Sequence, residues 1–252
     1  MIPEESQPDN VFASSPPSEA PAPVGGGDSA PDHASTEDLA LALLKSGDPS
    51  AEDIEQLAKN AALLKSRKVR LALASHRRAP RRIALRLIRE LYTFDLMQFS
   101  LMPTVAADLK RTADELLVSR LASVSLGERI SLARRCSALV ATALLLDKES
   151  RVWHTALENP RMTEAAVVKA LQRPYATAAF VEAICHHAKW SPRPEIRMAL
   201  LRNENTPMAR ALEFARRIPP PVLRDILHAS RLPETTKAYL RKELEGRGRA
   251  SG

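Results

Sequence analysis

Aromatic side chains are scarce in this chain: five phenylalanines, three tyrosines and two tryptophans make up 4% of its 252 residues. Runs in which Val, Ile, Thr or Tyr alternate with polar residues are nearly absent, which removes the usual signal for strands. Leu and Ala dominate instead, beside Arg, Lys and Glu, all of which lose little side-chain freedom in a helix. The expected fold class is all-α. Cysteine is almost missing too. Cys136 and Cys185 lie far apart, so there is neither a disulfide framework nor a CxxC metal motif. The opening "MIPEESQPDN" has no basic start and no apolar centre, so no secretory signal is expected. The longest nearly apolar run, "ALVATALLL" at 138–146, falls short of a bilayer span. These absences lead to the expectation of a soluble, cytoplasmic protein without a membrane segment.

Positive charge is missing from one end. Residues 1–44 contain eight acidic side chains and no Lys or Arg, leaving 37 basic against 22 acidic residues in the remainder, a net of +15. Residues 1–34 also hold seven of the nineteen prolines and the only Gly triplet, Gly25-Gly26-Gly27. Such a stretch has too little apolar surface to offset its ordering entropy. A disordered acidic tail is expected over 1–34, either a solubilising linker or an arm that covers the basic body.

Order is expected from Ser35. "STEDLALALLKSG" has a capping-type start at Ser35 or Thr36 and a Gly stop at Gly47, and "DPSAEDIEQLAKNAALLKS" restarts at Pro49 and Ser50. Residues 35–66 thus form a helical hairpin. Then comes "VRLALASHRRAP" at 69–80, which returns as "IRMALLRNENTP" at 196–207. With Val69 and Ile196 in register, His76 meets Asn203 and Pro80 meets Pro207. A further copy starts at Val152, with Asn159 and Thr163 in those places. Weaker copies start at Val222, restoring Pro233, and at Glu128, with Leu139 in the proline slot. Each copy reads as a short apolar helix stopped near the His/Asn position, where Asn tolerates a left-handed backbone. A tight turn follows, then a second helix with proline at its first position, and Thr206 suits an N-cap. Neither helix can bury its stripe alone, so units must stack.

The expected architecture is an irregular α-solenoid of stacked short helix pairs over 35–245. It comprises a repeat at 67–91, an insertion or diverged pair at 92–127 and repeats at 128–245, with 246–252 a flexible basic end. A helix over 177–190 lacks an obvious partner. "VRLALASHRRAPRRIAL", "IRMALLRNENTPMARAL" and "RVWHTALENPRMTEAAV" resemble the α-solenoid repeats of the HEAT-like superfamily, most of all the leucine-rich repeat variant type with its V-R-x-A-L-A…N/H…P…L pattern. The likeness covers residues 60–90 and 128–245. It implies a binding scaffold and no catalytic residue. The family's founding pattern can carry a cysteine-ligated iron–sulfur module, but two isolated cysteines cannot supply four thiolates, so no cofactor is expected.

Candidate binding residues follow from charge and aromatic placement. In "PRRIALRLIREL", Arg82, Arg86 and Arg89 fall opposite an apolar face. Counterparts are Lys169 and Arg173, Arg210 and Arg217, and Lys237 and Arg241. Such stripes are either solvated faces or a surface for an acidic partner, and Glu213 and Glu243 interrupt the later ones. Trp153 and Trp190 sit beside basic residues, where they either pack between helices or stack on a ligand. Cys185-His186-His187 splays around a helix and is not expected to hold a metal. A base-excision enzyme would need an acid in a basic, aromatic concavity, and Asp147 is the one candidate. No nucleophile elbow, phosphate loop or HExxH motif occurs. The leading expectation is a non-catalytic scaffold for a protein partner, with a nucleic-acid-binding protein or a HEAT-like DNA glycosylase-type enzyme as the alternative.

Overall fold

A computed structural model of the chain describes residues 32–46, 48–174 and 176–249. Most of the tail expected over 1–34 lies outside the described residues, as does the helix stop expected at Gly47. All regular structure among the described residues is helical. The helices are α1 Asp32–Ser46, α2 Ala51–Lys59, α3 Ala61–Lys65, α4 Arg67–Ser75, α5 Arg81–Glu90, α6 Thr93–Leu101, α7 Ala107–Arg120 and α8 Leu126–Arg135. They continue with α9 Ala138–Leu144, α10 Ser150–Leu157, α11 Glu164–Leu171, α12 Ala178–His186, α13 Pro194–Leu200, α14 Met208–Arg216, α15 Pro220–His228 and α16 Glu234–Arg249. The expected 35–66 hairpin is three helices, because the Asn60 side chain accepts the Ala62 and Leu63 amides and starts a new helix after α2. The stretch 92–127 supplies a closely packed pair, α6 and α7.

Small polar side chains start many of these helices. Ser50 and Ser125 form reciprocal capping boxes with Asp53 and Glu128. Ser66, Ser137, Thr163 and Thr177 each accept one otherwise unpaired amide. Pro80 and Pro207 stand at the N-cap of α5 and α14, one place before the expected first helical position. Thr206 is therefore not a cap. It is buried, and its hydroxyl donates to the Leu200 carbonyl at 2.7 Å.

One hydrophobic cluster runs from Ala40 to Leu240. Within it α4 packs on α5 and α6 on α7. Alternate helices also meet: α5 with α7, α7 with α9, α9 with α11, α11 with α13, α4 with α6, α8 with α10 and α14 with α16. The repeated sequence positions have the same burial. Val69, Val152 and Ile196 are fully buried, as is Leu223, whereas Val222 is exposed. The fourth copy therefore begins one residue later than its proline suggests. In the Glu128 copy the cap is Ser137 and Leu139 is exposed, so that turn is two residues shorter than expected.

The His/Asn position works by hydrogen bonding. Asn159 Oδ1 accepts the Arg161 amide at 2.8 Å and Asn203 Oδ1 the Asn205 amide at 2.9 Å. Ser230 Oγ accepts the Leu232 amide at 3.1 Å. His76 Nδ1 accepts the Arg78 amide at 3.2 Å, and His187 Nδ1 accepts the Lys189 amide at 3.2 Å. His187 thus gives the apparently unpartnered helix, α12, the same turn as the others. His76 itself has an ordinary negative φ of −70°, so a left-handed stop is not its role.

The same side chains reach backwards along the chain. A helix ends with carbonyls that have no partner inside it. Asn159 Nδ2 donates to the Ala133 carbonyl at the end of α8 at 2.7 Å, and Asn203 Nδ2 donates to the Leu171 carbonyl of α11 at 2.8 Å. Ser230 Oγ donates to the carbonyl of Leu201, after α13, at 2.6 Å. Arginines do the same elsewhere. Arg120 bonds the carbonyls of Arg89 and Leu91, Arg161 that of Arg135, and Arg247 those of Ala215 and Ile218. The last contact accounts for a departure from expectation at 246–252: α16 continues through Gly246 to Arg249, although a helical Gly costs about 1 kcal/mol.

The imidazole turns carry a pH dependence. Burial is the largest influence on His76 and His187 and lowers both pKa values below the ordinary 6.5. In that window the unfolded chain binds more protons, so stability present above the unfolded pKa is lost as pH falls through the folded one. Replacing both residues, His76→Asn with His187→Asn, keeps the amide acceptor and removes the proton. Thermal unfolding should show an unchanged midpoint near neutrality and a shallower decline between about pH 7 and 5 than in the parent. Parallel profiles would contradict the assignment.

Candidate functional site

The eleven residues singled out from the sequence separate by what already holds them. Arg82 pairs with Glu55, and Arg86 donates to the Ala58 carbonyl, so both reach back to α2. Arg210 lies over the Phe214 ring, pairs with Glu213 and donates to the Cys185 carbonyl at the end of α12. Lys237 and Arg241 converge on Glu234. Arg89, Lys169, Arg173 and Arg217 make no side-chain hydrogen bond or ion pair among the described residues. Three of these, Arg89, Lys169 and Arg217, are exposed. Arg210 and Arg217 come together with Arg197, which the sequence stripe omits. The Arg197 pKa is lowered first by burial and then by the Arg217 and Arg210 charges.

The two tryptophans are core residues. Trp190 is 1% exposed and its indole N–H donates to the Leu157 carbonyl of α10 at 3.0 Å. Lys189 and Arg193 lie over its ring, 4.4 and 5.2 Å from the centroid. Trp153 is 5% exposed and meets Phe180 edge-on at 5.4 Å.

Trp153 and Phe180 also line a cleft of about 160 Å³ together with Asp147 and Lys148. The structure thereby joins the one candidate acid to an aromatic wall. The carboxylate is committed, however. Asp147 Oδ1 accepts the Glu149 amide at 2.9 Å, and Oδ2 lies 2.9 Å from Arg129 Nε, off the hydrogen-bonding axis, as an ion pair. Both side chains are nearly buried, and Arg129 also donates to the Val124 carbonyl. The cleft is smaller than the roughly 300–1,000 Å³ of most small-molecule sites.

A groove of about 400 Å³ gathers Arg134 of α8, His154 and Thr155 of α10, Glu158 just after it, and His187 after α12. Because His187 Nδ1 accepts the Lys189 amide, its proton sits on Nε2, which lies 3.1 Å from Glu158 Oε1. Cys185, beside it, is fully buried, and burial pushes its thiol up to about 12. Cys136 is likewise buried and raised to about 12. No group of three or more His, Cys, Asp or Glu side chains among the described residues is arranged to hold a metal. Nor is any helix among them long and apolar enough to cross a membrane.

Two buried acids were not anticipated. Asp95 on α6 is held by Arg67. Asp114 lies inside α7 with one carboxylate oxygen unpaired; burial raises its pKa, offset in part by the nearby Ser137 and Ser100 hydroxyls. The available signal was its place beside Ala113, three residues before Leu117, on the face that turns inward.

Comparisons with protein-family models, with curated proteins and with solved structures return no match.

Removing Asp147 and removing Asp114 have opposite expected effects. Asp147→Asn strands a buried guanidinium and should lower unfolding free energy by about 3 kcal/mol. Asp114→Asn should raise stability at neutral pH. With a folded pKa above the unfolded value, Asp114 favours the folded state below the unfolded pKa and loses that contribution as pH rises through the folded one. Urea unfolding of both variants reads the signs; a destabilised Asp114→Asn would overturn the second assignment.

Proposed function

We propose that the helices form an irregular α-solenoid of the HEAT-like, leucine-rich repeat variant kind, acting as a non-catalytic scaffold for an acidic protein through a helix-lined basic surface. The observation that carries this reading is the division among the cations. Arg86 and Arg210 are held by helix-end carbonyls, and Arg82, Lys237 and Arg241 by acids. Arg89, Lys169, Arg173 and Arg217 are left without a partner among the described residues. Cations with no role in holding the fold are available to a ligand, and an exposed cation placed opposite a partner's carboxylate steers association and rejects like-charged competitors. The +15 balance beyond residue 44 supports an acidic ligand of either macromolecular class. Nucleic-acid binding is the second reading on the same charge.

The test compares the tagged chain with a variant carrying Arg89→Glu, Lys169→Glu, Arg173→Glu and Arg217→Glu. Quantitative mass spectrometry of proteins that co-purify should identify a partner whose affinity falls at least about tenfold in the variant, or about 1.4 kcal/mol. Duplex DNA titrated at two salt concentrations tests the second reading, because phosphate contacts give a log affinity that falls steeply with log salt. Identical protein recoveries from both baits would overturn the basic-surface reading. Steeply salt-dependent DNA binding lost in the variant would replace the protein partner with nucleic acid.

A further inference from the structure

An apolar groove lies apart from the four unpartnered cations. Its floor is Phe94, Met97, Leu101 and Met102, from α6 and the turn after it, and its volume is about 580 Å³. Arg67 and Arg135 also line it. Arg67, at the first position of α4, is half exposed and pairs with Asp95; Arg135, at the end of α8, is exposed with no acidic partner among the described residues. An apolar trough between arginines suits a peptide with a large apolar side chain next to carboxylates.

The chain contains such a peptide. Residues 1–31 carry Glu4, Glu5, Asp9, Glu19 and Asp28 with no Lys or Arg, and their only aromatic is Phe12, preceded by Val11. The point of entry is also close. Ser66, the N-cap of α4 and the neighbour of Arg67, donates its hydroxyl to Glu37 Oε1 at 2.7 Å. Glu37 is five residues into α1, a rise of about 7.5 Å from Asp32. The nineteen residues between Phe12 and Asp32 have a contour of about 60 Å, ample to reach the groove. Tethering at that length holds a segment at a local concentration in the mM range, so weak contacts suffice.

We propose that the groove over α6 docks the chain's own acidic segment around residues 4–12, with Phe12 on Met97 and Met102 and the Glu4, Glu5 and Asp9 carboxylates facing Arg67 and Arg135. Thioether contacts at a ring edge favour Met around Phe, and a carboxylate beside a partly desolvated arginine gains more than one in open water. This surface does not depend on the scaffold reading, and its test uses different residues.

The experiment places a photo-crosslinker in the full chain, Phe12→p-benzoylphenylalanine. Illumination at low salt should give an intramolecular product that peptide mapping locates at Met97 or Met102. Its yield should fall severalfold in the exposed variant Arg135→Glu and recover when Glu4→Lys and Glu5→Lys are added. Four outcomes would overturn the proposal: no product, a product scattered over the body, a yield unchanged by Arg135→Glu, or a product found only between two copies of the chain. The last would assign the groove to self-association.

Discussion

A helix cannot end inside a protein without finding donors for its last carbonyls. Buried, each unpaired carbonyl costs about 1–3 kcal/mol, and the sixteen α-helices among the described residues meet this problem again and again. Arg70 meets the last carbonyl of α5 from earlier in the chain, but most of the donors come from later. Side chains of Asn159, Arg161, Trp190, Asn203, Arg210 and Ser230 bond carbonyls at or just beyond the ends of α8, α10, α11, α12 and α13. Arg120 and Arg247 do so for α5 and α14. Hydrophobic contact alone would permit neighbouring helices to slide. A carbonyl that must meet one amide fixes register and spacing together.

The constraint explains why a residue type recurs at the turn. Asn has an oxygen that accepts the amide two residues on and a nitrogen that donates backwards, so one side chain closes its own turn and clasps the preceding helix. Ser230 does both jobs with one hydroxyl. The imidazoles at 76 and 187 keep the turn, and His187 directs its other nitrogen to Glu158 instead. Arginine, with five donors, adds backward bonds of its own, as Arg161 does beside Asn159, and after His187 the Trp190 indole supplies the bond. Much of the positive charge on this chain is therefore structural, and a count of basic residues overstates what remains for a partner.

The all-helical class and the buried positions around Val69, Val152 and Ile196 were legible because they depend on composition and periodicity. The turn position was legible as a place but not as a mechanism, since its hydrogen bond joins residues 26 to 32 apart, as Asn159 to Ala133 and Asn203 to Leu171. Long side chains misled in the same way. Arg82 and Arg86 lie opposite the apolar stripe, yet their aliphatic stems let the guanidinium return to α2. Periodicity gives the direction of a Cβ and says nothing of where the charge at the far end of the side chain settles. Asp147 was visible as an isolated acid, but Arg129, its partner, sits eighteen residues earlier in an ordinary helical pattern.

The backward hydrogen bond is tested most directly by Asn159→Asp and Asn203→Asp. A carboxylate preserves the size of the side chain and its turn acceptor while losing the N–H that meets the Ala133 or Leu171 carbonyl. Chemical unfolding at neutral pH should show each variant less stable by about 2–4 kcal/mol. Part of the loss should return in acid, when the protonated carboxyl regains a donor. Stability equal to that of the parent at neutral pH would contradict the account.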